Sequence, residues 1–313
     1  MMNVMPQNRR LDVAAGTFVT ATVGPVLVLV LLLSVVPMVY NIYISTTNMS
    51  LYHYFDYDYV GLENYRLIFT SPVSDFGAVS AWNVIYALCA IGLPFVVGVF
   101  AAGSLVRLPR TAVTVTLPIL LLPWVVPAFI TVLVWKGLFN YHFGLVNLVL
   151  SSVGIPGVPW LLSPEAARFA VVLVSVWLGI PFMTLLAYGI LYTIPNGIYE
   201  AAKIDGVGPS RTFVSITLPL VFQRMLPVMV LGFSAAFNNF TVIYLLTAGG
   251  PMNPENIGGA GATDIIISHI FSLTLMSRRY GLASAYAVIV FLVVALVAAG
   301  GLFLLRRNRE EVF

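Results

Sequence analysis

Side chains able to do chemistry are scarce in this chain. Only 9% of its 313 residues are charged, and none of its three histidines, His53, His142 and His269, belongs to a His-Glu-x-x-His arrangement. No group of residues has the spacing of a metal site or of a catalytic constellation. The two lysines, Lys136 and Lys203, lack the preceding glycines and following hydroxyl of a phosphate-cradling loop, so the chain cannot hold a nucleotide by that route. What remains is a set of neutral polar groups inside apolar stretches: Asn83, Ser175, Thr184, Ser234, Asn238, Asn239 and Thr241. Beside aromatic rings these suit an uncharged, hydroxyl-rich solute; equally, such groups hydrogen-bond one helix to another.

A second stretch is informative for the opposite reason, because it is polar and punctuated. Residues 195–219 read as a short helix that Pro195 opens and Gly206 stops, followed by a break and a second short helix from about Ser210 to Ile216. Pro219 is expected to bend the chain into the next apolar stretch. Ala201 and Ala202 leave room for the backbone of another protein, and Glu200 and Asp205 are available as anionic contacts.

The elements that carry these residues are dictated by lipid. A soluble domain has roughly 25% charged residues, and a chain with 60% hydrophobic residues and a mean hydropathy of +0.98 needs a different solvent. A helix needs about 20 apolar residues to cross the hydrocarbon core. Apolar cores at 20–44, 80–105, 113–135, 168–192, 221–245 and 282–305 predict an all-α membrane protein of six spans. The first exceeds the apolar core of a signal peptide and is expected to be retained. The stretch 137–164 is broken by Gly144, Gly154, Pro156, Gly157 and Pro159, and reads as an interfacial segment with Tyr141 and Trp160 at headgroup level. The stretch 265–277 is likewise too short to span. Lys136 and Arg168 fall at span ends, from which long side chains reach the interface.

Orientation follows from the cations. With six spans and both termini cytoplasmic, Arg9, Arg10, Arg107, Arg110, Lys203, Arg211, Arg224, Arg306, Arg307 and Arg309 share the cytoplasmic side, ten of the 15 Lys and Arg. Domain limits are a cytoplasmic segment 1–18, a transmembrane domain 19–305 and a cytoplasmic tail 306–313. No ionisable residue falls in the middle of a span, whereas gradient-driven carriers commonly place one there. The energy for transport is then expected from a separate subunit. The net charge of +3 gives no reason to expect nucleic acid, and the single Cys89 excludes an intrachain disulfide.

Glu200-Ala201-Ala202, then Asp205-Gly206, then Ile216 through Pro219, resembles the coupling loop of membrane subunits in binding-protein-dependent ATP-binding-cassette importers. Gly61-Leu62-Glu63-Asn64-Tyr65, the segment Trp135–Asn147 and the run from Phe237 to Pro251 are similar to segments of the sugar permeases in that family, those of the maltose type above all. The resemblance covers roughly residues 60–305. It implies the type I importer permease fold, with no cofactor on this chain and ATP and Mg2+ held by a partner ATPase. It also implies a second permease subunit forming a heterodimer, two ATPase subunits, an extracytoplasmic sugar-binding protein and a bacterial or archaeal cytoplasmic (inner) membrane. ATPase coupling would fall to Glu200, Ala201, Ala202, Asp205 and Gly206. The sugar path would include Trp124, Ser175, Leu178, Gly179, Phe182 and Asn239, with Gly232, Ala235 and Ala236 beside them. The solute expected is an oligosaccharide or disaccharide such as maltose, maltodextrin or a related glucoside. Glycerol phosphate in a permease of the same type, or a gradient-driven carrier, is the alternative.

Overall fold

The computed structural model describes residues 7–71, 74–253 and 259–310. They form helices joined by loops, with two isolated β-bridges and no strand among the described residues. Five helices are long and apolar enough to cross a membrane: Thr20–Ser45, Phe76–Leu105, Pro164–Tyr192, Pro209–Phe237 and Tyr280–Gly301. A helix pair, Arg110–Val125 and Ala128–Leu138, is long and apolar enough only when taken together and is bent by 85°; counted as one broken span it makes six. In chain order we label α1 (Gln7–Val30), α2 (Val36–Ser45), α3 (Glu63–Thr70), α4 (Phe76–Leu105), α5 (Arg110–Val125), α6 (Ala128–Leu138) and α7 (Leu145–Ser152). The series continues with α8 (Pro164–Tyr192), α9 (Asn196–Ile204), α10 (Pro209–Thr212), α11 (Leu218–Phe237), α12 (Phe240–Thr247), α13 (Ile266–Leu275) and α14 (Tyr280–Glu310).

Two expected spans are broken, and each break has a local cause. The third, expected straight over 113–135, turns at Val126–Pro127, where both residues are extended (ψ 130° and 128°). Pro127 has no N–H to donate, and its ring pushes Val126 out of the helical region. The fifth, expected over 221–245, ends at Phe237; after two asparagines α12 starts afresh, with Asn239 Oδ1 accepting from the Val242 N–H at 3.4 Å as a cap.

Its lower end also differs from expectation. No separate helix stands at 210–216, and Pro219 does not break the chain: α10 runs through a π-turn, Phe213–Thr217, into α11 as one helix from Pro209. The residue four before Pro219 is Ser215, the middle of that π-turn. Pro37 and the π-turn Leu31–Val35 between α1 and α2 repeat the arrangement, with Leu33 in the middle. A proline clashes with the carbonyl four residues earlier; widening that turn moves the carbonyl aside and keeps the helix continuous.

Between helices, lipid offers no hydrophobic drive, so close packing and hydrogen bonds must hold the bundle. The most extensive helix contact is between α4 and α8. A Cβ on Gly98 would lie 2.8 Å from the Met183 backbone carbon, and one on Gly179 would lie 2.9 Å from Pro94 Cγ. Glycine at both positions lets the two helices meet along two turns. Asn83, buried on α4, donates to Phe237 O at 3.0 Å and accepts from Ile266 N–H at 2.9 Å, joining the ends of α11 and α13. Here the helix-to-helix reading of the neutral polar groups holds. Thr184 does less, bonding its own helix at Ile180 O.

The stretch 137–164 contains only the eight-residue α7. Asn147 organises it, donating to Tyr141 O and Val158 O and accepting from Val158 N–H and Trp160 Nε1 at 2.9–3.1 Å. The segment Gly61–Tyr65 has a joining role too: Asn64 Nδ2 donates to Ser45 O at 2.9 Å and Thr47 O at 2.8 Å, fastening α3 to the end of α2.

Arg168 and His269 both make contacts inside the protein. Arg168, near the start of α8, is engaged within the protein. Its guanidinium lies 5.0 Å from the Trp82 ring centroid and donates through Nε to Ala262 O at 2.7 Å, because the cation meets a π face and a carbonyl closer at hand. His269 is buried on α13 against the Tyr286 ring. Burial lowers the His269 imidazole and raises the nearby Asp264 carboxyl from their ordinary values. Asp264 accepts from Ser268 Oγ at 2.6 Å and Gly261 N–H at 2.9 Å, pinning the loop before α13.

Gly98→Ala is expected to lower stability by about 1–3 kcal/mol through overpacking, while Gly92→Ala, with open space at its Cβ, leaves it unchanged. Thermal unfolding of the two purified variants in detergent checks this, and equal melting temperatures would exclude a close α4–α8 contact at Gly98.

Candidate functional site: a membrane cleft and a docking turn

Ser175, Leu178, Gly179 and Phe182 recur at intervals of three and four residues, so α8 presents them on one face. That face borders an open-sided cleft of about 740 Å3, whose other walls come from α4, the end of α5, α11 and the α11–α12 break. All nine positions singled out for a sugar path, from Trp124 to Asn239, border this cleft. Trp124 on α5 and Phe182 on α8 are paired at 6.0 Å between centroids and remain 53% and 37% exposed, presenting ring surface to the opening.

The nine do not contribute alike. The Ser175 hydroxyl is already engaged, 2.9 Å from Tyr86 Oη and bonded to Val171 O, and is buried. Gly179 and Gly232 shape the wall by packing: a Cβ on Gly232 would lie 2.8 Å from Ile91 Cδ1. Asn239 caps α12, while Asn238 donates to Ser234 O at 3.0 Å. Ala90, Ile91, Val228, Leu231 and Met183 also line the cleft and were not distinguishable in the sequence from ordinary apolar helix residues. Tyr86, which holds the Ser175 hydroxyl, was missed as well; it sits one turn before Ala90 on α4, a spacing visible only once the facing element is known. Among the described residues no Asp, Glu, Lys, Arg or His lines the cleft. It can offer aromatic faces and neutral hydrogen bonds, and nothing to compensate a charge.

At the other end of α8, Pro195 opens α9, and the helix closes in a Schellman turn. Val207 N–H donates to Ala202 O at 2.9 Å and Gly206 N–H to Lys203 O at 3.1 Å, with Gly206 at φ +71°. Only glycine enters that left-handed region without strain. Glu200, Ala201, Asp205 and Gly206 are exposed, and so is Ile204, 85% accessible beside them. Ala202 is not: at 5% exposure it is buried by its own chain, so of the two alanines only Ala201 can admit another backbone. Ile204 was not foreseen as part of this face. An apolar residue fully presented at a polar turn is the kind of group a partner covers.

A helical membrane chain with an uncharged cleft between its spans and a rigid turn exposed at one membrane face has the parts of a transport permease. Residues 94–310 match the family model described as binding-protein-dependent transport system inner membrane component, and the chain belongs to that family. It is 37% identical over 281 residues to the galactooligosaccharides transport system permease protein GanP of Bacillus subtilis, covering 88% of this chain and 67% of that one. To the maltose/maltodextrin transport system permease protein MalF of Escherichia coli K12 it is 36% identical over 243 residues, 76% of this chain and 47% of that one. The chain thus spans about half the length of its MalF relatives. A chain of a bacterial ABC transporter involved in the import of the acidic polysaccharide alginate superposes with a TM-score of 0.78 over 96% of this chain and 99% of its own, at 19% identity, a likeness of fold.

Gly206→Ala should destabilise the Schellman turn by about 1–2 kcal/mol, and Gly206→Pro should abolish it. Hydrogen exchange at Val207 is the measurement: exchange as slow in Gly206→Pro as in the parent would contradict the turn.

Proposed function

We propose that this chain is the permease subunit of an ATP-driven importer for an uncharged oligosaccharide or disaccharide. The observation that carries the reading is the cleft: an exposed Trp124–Phe182 ring pair over neutral walls, with no charged group. Sugar rings stack their C–H faces on aromatics and hydrogen-bond through hydroxyls, needing no ionic partner. A phosphorylated solute such as glycerol phosphate would enter an uncompensated site, which weighs against that alternative. Family membership favours ATP-driven transport over a gradient-driven carrier.

The family and the names of the relatives support a heteromeric assembly: a second permease subunit, two ATPase subunits holding ATP and Mg2+, and an extracytoplasmic binding protein. The chain itself binds no nucleotide and catalyses no reaction. We place it in a bacterial cytoplasmic membrane, as the named relatives are bacterial, with both termini and α9 toward the cytosol. Movement of the ATPases reaches the spans through α9, with Glu200 and Asp205 as ionic contacts, Ala201 and Ile204 as the packed face, and Gly206 fixing the turn. Among sugars, maltodextrin-type glucosides and galacto-oligosaccharides both stand, the second favoured by the longer match to GanP.

In proteoliposomes carrying the assembled transporter, Trp124→Ala should raise the sugar concentration for half-maximal uptake about tenfold, the worth of one aromatic stack. Unchanged uptake of both sugar classes in that variant would remove the cleft from the path. Glu200→Ala is expected to abolish sugar-stimulated ATP hydrolysis while the subunit still assembles; undiminished stimulation would remove the coupling role of α9.

A further inference from the structure

A second hollow, about 1000 Å3, lies at the membrane face that bears α9, beneath the turn and apart from the sugar cleft. The ends of α4 and α8, the inner face of α9 and the α10–α11 junction enclose it. Its composition is unlike that of the first. Arg107 and Lys203 line it, no carboxylate does among the described residues, and Thr193, Tyr199, Thr212 and Asn196 add hydroxyls and an amide. Two further cations reach its wall: Arg224 Nη1 donates to Thr193 Oγ1 at 2.8 Å, and Arg110 Nη2 to Tyr192 Oη at 3.1 Å.

None of these four cations makes an ion pair among the described residues; the pairs found are His53–Asp56 and Arg66–Glu63. Glu200, one turn before Lys203 on α9, is not within ion-pair distance of it. The remaining wall is apolar, with Val106, Leu191, Ile194 and Phe213. A topological excess of cations needs only an exposed surface. Here they converge on a concave space that is cationic at its rim and greasy within.

We propose that this hollow binds a phosphate-bearing anion and that bound anion steadies the root of α9. Arginine and lysine supply the charge, and the Tyr199 hydroxyl and the Asn196 amide donate to the non-bridging oxygens, the Thr193 and Thr212 hydroxyls being spent on Ile190 O and Gly208 O. Anionic headgroups are a source at this depth, since the hollow opens where α4 and α8 leave the membrane and its apolar wall suits the glycerol and upper acyl chain. A free phosphate or phosphate ester from the aqueous side offers the same oxygens. The proposal is independent of which sugar is carried, so loss of the sugar reading leaves it standing.

The test uses the assembled transporter, exchanged into detergent and then titrated with phosphatidylglycerol or phosphatidylcholine, with retained lipid read by native mass spectrometry. Radiolabelled inorganic phosphate is offered to the same sample in equilibrium dialysis. The parent should retain phosphatidylglycerol over phosphatidylcholine. Arg107→Gln with Lys203→Gln should weaken retention about 25-fold, roughly fivefold per cation, while Arg107→Lys with Lys203→Arg stays near the parent. Variant-sensitive phosphate binding without lipid retention supports the site with the aqueous source. Equal lipid retention and equal phosphate binding in parent and Gln variants overturn it. So does loss of the ATPase subunits in place of lipid, which would assign the cations to a protein contact. Should the double Gln variant not fold, Lys203→Gln alone, on the exposed rim, carries the same comparison.

Discussion

The close approach of α4 and α8 is the contact on which the rest of the molecule depends. In a bilayer, lipid chains solvate leucine as well as a neighbouring helix does, so association has to come from many short contacts. Gly98 and Gly179 permit those contacts by removing the only atoms that would hold the helices apart. Once α8 is seated on α4, the face carrying Ser175, Leu178 and Phe182 is fixed beside α11, and the cleft follows. The same packing orients Tyr86 toward Ser175 and Asn83 toward the ends of α11 and α13. Structure and cleft therefore share residues, which is why several supposed solute contacts turn out to be engaged with the protein itself.

Proline is used in three ways along this chain. At Pro127 it ends a helix outright and gives the 85° bend. At Pro37 and Pro219 it is absorbed by a π-turn, so the helix runs on. At Pro94 and Pro181 it lies inside long helices, Pro94 meeting Gly179 at the α4–α8 contact. Around Pro219, α10 and α11 form one continuous helix, Pro209–Phe237, that runs from beside the α9 turn to the α11–α12 break at the cleft.

The two hollows divide the chemistry by charge. The cleft between the spans has no ionisable lining, and the hollow under α9 has two cations and no carboxylate. An uncharged cleft and a cationic hollow can then sit in one small bundle without electrostatic conflict.

The sequence by itself determined the solvent, the places of the long apolar helices and the place of the α9 turn. Those depend on composition, on runs of about 20 apolar residues and on local punctuation, all of which are one-dimensional. The resemblance carried in residues 200–219 likewise reached the family. Tertiary structure alone decided that the third and fifth spans break, since a proline or an asparagine pair can be tolerated or obeyed according to what packs beside it. It also decided which way each polar group faces: Ala202 and His269 inward, Ile204 outward, Ser175 toward Tyr86. In a helix that is apolar all round, periodicity leaves facing undetermined, and only the neighbouring helices settle it.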